Sequence, residues 1–249
     1  MIVIKTSEQL AKIRESGLVM KKVFQMLESL IRPGISTGLI NSRVELLIRE
    51  NGGTPTFKGY NGFPYALCIS VNDVLIHGFP SITQILKKGD IVSCDVGVTL
   101  NGLITDACRT YAVGEISEEA KKLIKVTEES FFLSVGSIVP NVTRVGDISE
   151  LVQKHVEANG FSVAKNYSGH GTGIHLHEDP EIPNYGRSGS GPLIKPNMVI
   201  CVEPMVLMGR PETKILSDGW TVKSKDGKIC AHYENTVIIT DDGIEIVTL

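Results

Sequence analysis

Apolar residues recur at three- and four-residue steps in four stretches of this 249-residue chain, and alternate or cluster in short runs between them. Leu10, Ile13, Gly17, Met20, Phe24, Leu27 and Ile31 mark one face of a long amphipathic helix. Thr6-Ser7-Glu8-Gln9 has the form of a capping box before it, and Pro33-Gly34 closes it. Ile40, Val44, Leu47 and Ile48 predict a second helix, capped by Ser36 or Thr37 and stopped by Asn51-Gly52-Gly53. Ser117 caps a third, carrying Ala120, Leu123, Ile124, Phe131, Val135 and Ile138. A fourth carries Ile148, Leu151, Val152, His155 and Val156 and stops at Asn159-Gly160.

The intervening segments read as strands. ALCISV and VLIHG flank a turn at Asn72-Asp73, and further strand-like runs fall at 161–164, 198–202 and 229–240. The order is helix, helix, strands, given twice. It predicts an α+β fold in which one domain, 1–249, holds two similar halves, roughly 1–113 and 114–249. They would share a mainly antiparallel sheet with helices outside.

Ile91 to Val113 (IVSCDVGVTLNGLITDACRTYAV) is the most informative stretch. Asn101-Gly102 predicts a two-residue hairpin turn, which needs positive φ at both central residues. Leu100 then faces Leu103, Asp95 faces Cys108, and Asp106 faces Gly97. The two aspartates share one face as diagonal neighbours, roughly 7–8 Å apart at the backbone. A slip of one residue would separate them. Two carboxylates on one face of an apolar hairpin repel unless a cation lies between them, and a divalent metal is the simplest candidate.

Composition narrows the partners. Net charge is −3 and the pI near 6.1, so no basic footprint favours DNA or other nucleic acid. No signal peptide and no apolar run of about 20 residues is present, so a cytoplasmic protein without membrane attachment is expected. Cys68, Cys94, Cys108, Cys201 and Cys230 are scattered without a C-x-x-C and read as buried free thiols.

Three further segments carry ionisable groups in unusual settings. His170 lies in SGHGTGIHLHEDP, whose glycines allow tight bends and close approach. Glu203 ends the apolar run MVICVEPM, and Glu234 lies within ICAHYENTVIIT, where alternation puts His232, Glu234 and Thr236 on one face. Singly, each has an ordinary reading: a solvated turn histidine, an edge carboxylate beside proline, a solvent-facing row. Together with Asp95 and Asp106 they form a mostly hard-oxygen donor set. That set suits Mn²⁺, Fe²⁺, Co²⁺ or a catalytic Zn²⁺ pair, and five donors exceed what one open ion needs.

At this level the chain resembles the type I methionine aminopeptidases, in their short, bacterial-like form, over essentially its whole length. The segments that carry the likeness are CISVNDVLIHG, GDIVSCDVGVTLNGLITDACRTY, GHGTGIHLHEDP, VICVEPM and DGWTVKSKDGKICAHYENTV. The resemblance implies the pita-bread fold of two pseudo-symmetric halves. It implies two divalent ions held by Asp95, Asp106, His170, Glu203 and Glu234, with Asp106 and Glu234 bridging. It implies removal of the initiator methionine before a small second residue, by a hydroxide bridging the two metals. Glu203 would be the general base, His177 would polarise the carbonyl, and His77 would contact the scissile nitrogen. Tyr60, Phe63, Cys68 and Trp220, with Leu176, would line the methionine pocket. Phe63, Leu176 and Thr172 depart from the residues frequent in the family, which bears on pocket shape and substrate range. Asn72, Val74 and Cys230 resemble a weak monovalent-cation site. Partners would be methionyl peptides and nascent chains, with transient ribosome contact and a monomeric enzyme. His175 has no role on this resemblance. Two other readings share the fold. Proline-directed aminopeptidases and dipeptidases usually carry an added N-terminal domain, and non-catalytic binding relatives tend to lose ligands that this chain retains.

Overall fold

A computed structural model describes residues 1–249. Its four helices are α1 (Ser7–Leu30), α2 (Thr37–Glu50), α3 (Glu118–Gly136) and α4 (Val145–Ala158). The capping box at α1 is complete: Thr6 accepts from the Gln9 backbone N–H, and Gln9 accepts from the Thr6 backbone N–H. Ser36, rather than Thr37, caps α2, and Ser117 caps α3. At α4 the backbone N–H of Arg144 donates to Asp147. Leu151, expected on the apolar face of α4, is instead exposed.

Every paired strand is antiparallel. The central sheet runs, in spatial order, Thr54–Pro55, Ile91–Leu100, Leu103–Ala112, Glu234–Ile239, Val199–Val202, Ser168–Gly171 and Glu178–Pro183. Leu67–Val71 also pairs with Ile91–Leu100, and Ile244–Ile246 with Glu234–Ile239. The hairpin has the predicted register, with Leu100 opposite Leu103, Asp95 opposite Cys108 and Gly97 opposite Asp106. Asn101 and Gly102 both take positive φ, 51° and 77°.

Strand alternation decides which side chains meet the helices. Val92, Cys94, Val96 and Val98 pack with Val19, Val23, Leu27, Ile40 and Val44 of α1 and α2. Met198, Ile200 and Val202 pack with Phe131 and Val135 of α3 and Ile148 of α4. The odd-numbered members, Asp95 and Cys201 among them, therefore project from the opposite face.

The 229–240 run, expected as one strand, is two. Cys230–His232 pairs with Met205–Leu207 in a separate three-stranded sheet, and Glu234–Ile239 belongs to the central one. The switch falls at Tyr233, whose N–H donates to the Pro204 carbonyl where the neighbouring strand makes the same crossing. The glycine-rich segment also differs from a simple bend. Ser168–Gly171 is a strand, and Gly169 and Gly171 serve close approach. A Cβ on them would lie 2.4 Å from the Cys201 carbonyl oxygen and 2.2 Å from that of Asp179. A third small sheet joins Val74–Ile76, Val222–Ser224 and Thr213–Ile215.

Candidate metal centre

Five neighbouring strands of the central sheet each deliver one candidate ligand to one face. Asp95 and Asp106 come from the two arms of the hairpin, and Glu234 opens the next strand, opposite Cys108. Glu203 directly follows Val199–Val202, whose register against Glu234–Ile239 (Asn235 opposite Val202) puts it beside Glu234. His170 sits opposite Cys201 on the strand beyond. Thr236 ties the rows together: its hydroxyl donates to the Asp106 carbonyl and accepts from the Asp106 N–H, both at 2.8 Å. The five residues named from sequence thus meet, although the last three come from strands more than fifty residues beyond the hairpin.

Asp106, His170 and Glu234 are buried and Asp95 and Glu203 half-buried, and three of their carboxylate oxygens are under-satisfied. Asp95 Oδ1, Asp106 Oδ1 and Glu234 Oε1 are buried with no hydrogen-bond partner. Such orphans are costly, and a cation is the partner that satisfies several at once. Donor atoms of Asp95, Asp106 and Glu234 lie within 4.8 Å of one another, and so do those of Glu203, His232 and Glu234. The constellation therefore fits divalent metal.

The electrostatics agree. Burial, then the charges of its neighbours, holds Asp106 well above the usual carboxylate range. Glu203 and Glu234 are raised in the same way, and burial brings Asp95 to about 6. Such a cluster cannot all ionise without a cation. The imidazoles move the other way. Burial lowers His170 to about 3 and His77 to about 4. The His170 ring is thus neutral near pH 7, and its 3.6 Å approach to Glu203 is not an ion pair. Its Nδ1 lies 2.9 Å from the Gly171 carbonyl, which can only accept, so the proton is on Nδ1 and Nε2 faces Glu203 with its lone pair.

A cavity of about 180 Å³ opens from this face. It is lined by every residue expected for catalysis, metal or substrate: Tyr60, Phe63, Cys68, His77, Leu176, His177 and Trp220 stand beside the five ligands. Phe63 packs edge-on to Trp220 at 5.2 Å and to Phe79 at 5.4 Å. The small third sheet brings His77 to within 6.0 Å of Trp220, ring to ring, with His77 at φ 57°, a left-handed backbone uncommon for a residue with a Cβ. The His177 ring lies 4.4 Å from that of His170, and its Nδ1 is 2.9 Å from the Tyr60 hydroxyl. Tyr60 is therefore more than a wall, because it orients the histidine.

Three lining or flanking residues were not singled out from sequence. Phe57 and Asn61 lie in the loop between Thr54–Pro55 and Leu67–Val71. The clue to Phe57 was Gly97: a Cβ there would meet the Phe57 ring at 2.7 Å, so the glycine makes room for it. His232, noticed only as sharing a face with Glu234, lies beside Glu203. Its clue was the break at Tyr233, which alternation alone does not reveal. Asn72 and Cys230 also meet, the Cys230 N–H donating to the Asn72 carbonyl at 2.8 Å. All five cysteines are free and buried, as expected, and no helix is long and apolar enough to cross a membrane.

The model of metallopeptidase family M24 matches residues 11–241. A methionine aminopeptidase of Clostridium perfringens is 51% identical over 249 residues, spanning all of this chain and 99% of that protein. The crystal structure of a methionine aminopeptidase from Thermotoga maritima superposes with a TM-score of 0.98 at 41% identity, covering 100% of this chain and 99% of that one. A prolidase from Pyrococcus furiosus shares the fold, with a TM-score of 0.80 at 23% identity, and this chain covers 65% of its length.

Proposed function

The chain belongs to metallopeptidase family M24, and we propose that it removes the N-terminal methionine from nascent proteins and peptides whose second residue is small. The observation that carries this reading is one cavity, lined by aromatic and sulfur-bearing side chains, that opens directly onto the carboxylate and imidazole cluster. A thioether suits such a lining. The full-length likeness to methionine aminopeptidases supports the same substrate, and the prolidase likeness, below 25% identity, speaks for fold alone.

In this reading Asp95, Asp106, His170, Glu203 and Glu234 hold two divalent cations, and the oxygen-rich set suits Mn²⁺, Fe²⁺, Co²⁺ or Zn²⁺. When bound, such ions supply Lewis acidity and lower the pKa of water. The remaining work falls to side chains. Tyr60, Phe63, Cys68, Leu176 and Trp220 enclose the methionine side chain and exclude water from it. Glu203 takes the proton of the attacking water and returns it toward the departing amine. With the Tyr60 hydroxyl donating to its Nδ1, His177 carries its proton on Nε2 and donates it as a hydrogen bond to the carbonyl oxygen as charge develops. His77 contacts the scissile nitrogen. A weak monovalent-cation site among Asn72, Val74 and Cys230, a monomeric enzyme in the cytoplasm and transient ribosome contact belong to the same reading.

The test compares Met-Ala-Ser with Xaa-Pro peptides, with and without divalent metal, for wild type and Glu203→Ala. Metal-dependent release of methionine, lost in the folded variant, is expected. Turnover by fully chelated protein, or a preference for Xaa-Pro, would overturn the reading.

A further inference from the structure

The reading above leaves one buried group at the centre without a task. His232 is the last residue of its strand before the crossing at Tyr233, and it is 2% exposed. Its backbone is fixed by Thr110, whose hydroxyl donates to the His232 carbonyl at 2.8 Å and accepts from its N–H at 3.0 Å. Its Nε2 is buried with no hydrogen-bond partner. That atom stands 3.5 Å from Glu203 Oε2 and 3.8 Å from Glu234 Oε2. Glu203 is therefore flanked on both sides, since its other oxygen, Oε1, faces His170 Nε2 at 3.6 Å.

These separations are too long for hydrogen bonds, whose N···O distances run about 2.7–3.2 Å. They match two donors that share one ion. At metal–ligand distances of about 2.1 Å, donors on one ion lie roughly 3.0–4.2 Å apart as the angle between them opens from a right angle to a straight line. His232 shows both spacings within that range, and His170, already in the ligand set, shows the same spacing to the same carboxylate.

Resting on the two-metal reading above, we infer that His232 Nε2 is a sixth protein donor of the centre, on the ion that Glu203 and Glu234 share on the His232 side. The centre then holds two imidazoles, one on each side of Glu203, and four carboxylates. Crowding by His232 also fixes which lone pairs of Glu203 stay free, so the same histidine that binds the ion orients the base.

The test loads the full-length protein with Co²⁺ and counts imidazoles. Paramagnetically shifted, exchangeable imidazole N–H resonances and X-ray absorption fitting should both give two imidazoles per pair of ions in the wild type. A count of one overturns the inference. In His232→Gln, checked for fold by circular dichroism, calorimetry should show one Co²⁺ bound at least about 100-fold more weakly, at or beyond the 10–100-fold cost of losing an outer partner. In His232→Ala, added imidazole should restore that affinity. Unchanged Co²⁺ affinity in either folded variant overturns the inference, and so does a loss of kcat with affinity and imidazole count intact, which would assign His232 to positioning Glu203 alone. Failure of the wild type to bind Co²⁺ at all would instead overturn the metallopeptidase reading on which it rests.

Discussion

Glu178 follows His177 directly, and replacing it by glutamine tests how the histidine loop is held. The Glu178 side chain is 3% exposed and forms an ion pair with Lys5, which is 1% exposed. Its second oxygen, Oε1, accepts from the N–H groups of Ile174 and His175 at 2.7 and 2.9 Å. One carboxylate thus anchors the loop carrying Leu176 and His177 to the segment that enters α1. In Glu178→Gln the amide oxygen can still serve the loop, but the Lys5 ammonium is left buried without a counter-charge. Breaking a buried pair in this way costs about 3–5 kcal/mol. For a chain of this size that is a fall in Tm of roughly 6–20 °C. Adding Lys5→Met should recover part of the loss, because no charge then remains buried. Urea and thermal unfolding of the wild type, both single variants and the double variant give the coupling directly. The reasoning fails if Glu178→Gln costs less than about 1 kcal/mol, or if the double variant is no more stable than the single one. At a temperature where Glu178→Gln stays folded, kcat/KM for Met-Ala-Ser should still fall, because the loop that carries His177 loses the ion pair tying it to the segment that enters α1.

Three other outcomes follow from the geometry of the centre. Burial and mutual charge hold Asp106, Glu203 and Glu234 above the ordinary carboxylate range and Asp95 at about 6, so near pH 6 an entering cation must displace protons. Metal affinity should therefore rise with pH, by up to about tenfold per pH unit for each proton displaced; calorimetry in buffers of different ionisation enthalpy measures the protons released, and a flat affinity from pH 6 to 8 would contradict it. Gly171→Ala puts a Cβ 2.2 Å from the Asp179 carbonyl oxygen, so the His170 strand must shift; a loss of about 1–3 kcal/mol in stability together with weakened metal binding is expected, and normal metal content would refute the close-approach role. Tyr60→Phe removes the hydroxyl at His177 Nδ1 and should lower kcat about 2–10-fold, the worth of one hydrogen bond, with metal content unchanged; an equal fall in bound metal would show a structural defect instead.

Local signals in the sequence were sufficient where short-range physics dominates. The Asn-Gly turn determines the register of Asp95 against Asp106, and side-chain caps determine where α1, α2 and α3 begin. Signals of longer range were harder to see. Apolar continuity from 229 to 240 concealed the change of sheet at Tyr233, because both strands are buried on both sides of it and alternation carries no mark of a new partner. Leu151 repeated the helical period yet lies on the exposed side, a position that only the neighbouring elements decide. Tyr60 lines the cavity as the resemblance implied, but its hydrogen bond to His177 depends on two loops that meet across 117 positions of chain. His232 was on the predicted face of Glu234, but nothing in the sequence indicated that it would approach Glu203.

The hairpin also separates the assembly of the centre in time. A two-residue turn between long apolar arms closes in about 1–10 μs, whereas pairings between distant strands form later because their loops must close first. Asp95 and Asp106 therefore come together while Glu203, His170 and Glu234 are still far away. A chain at that stage offers two repelling carboxylates and little grip on an ion. Capture of metal is thus a late event that reports completed docking of the second set of strands. The metal supply of the cell then sets how much of the finished protein is loaded, and a bound ion stabilises the docked strands that present its ligands.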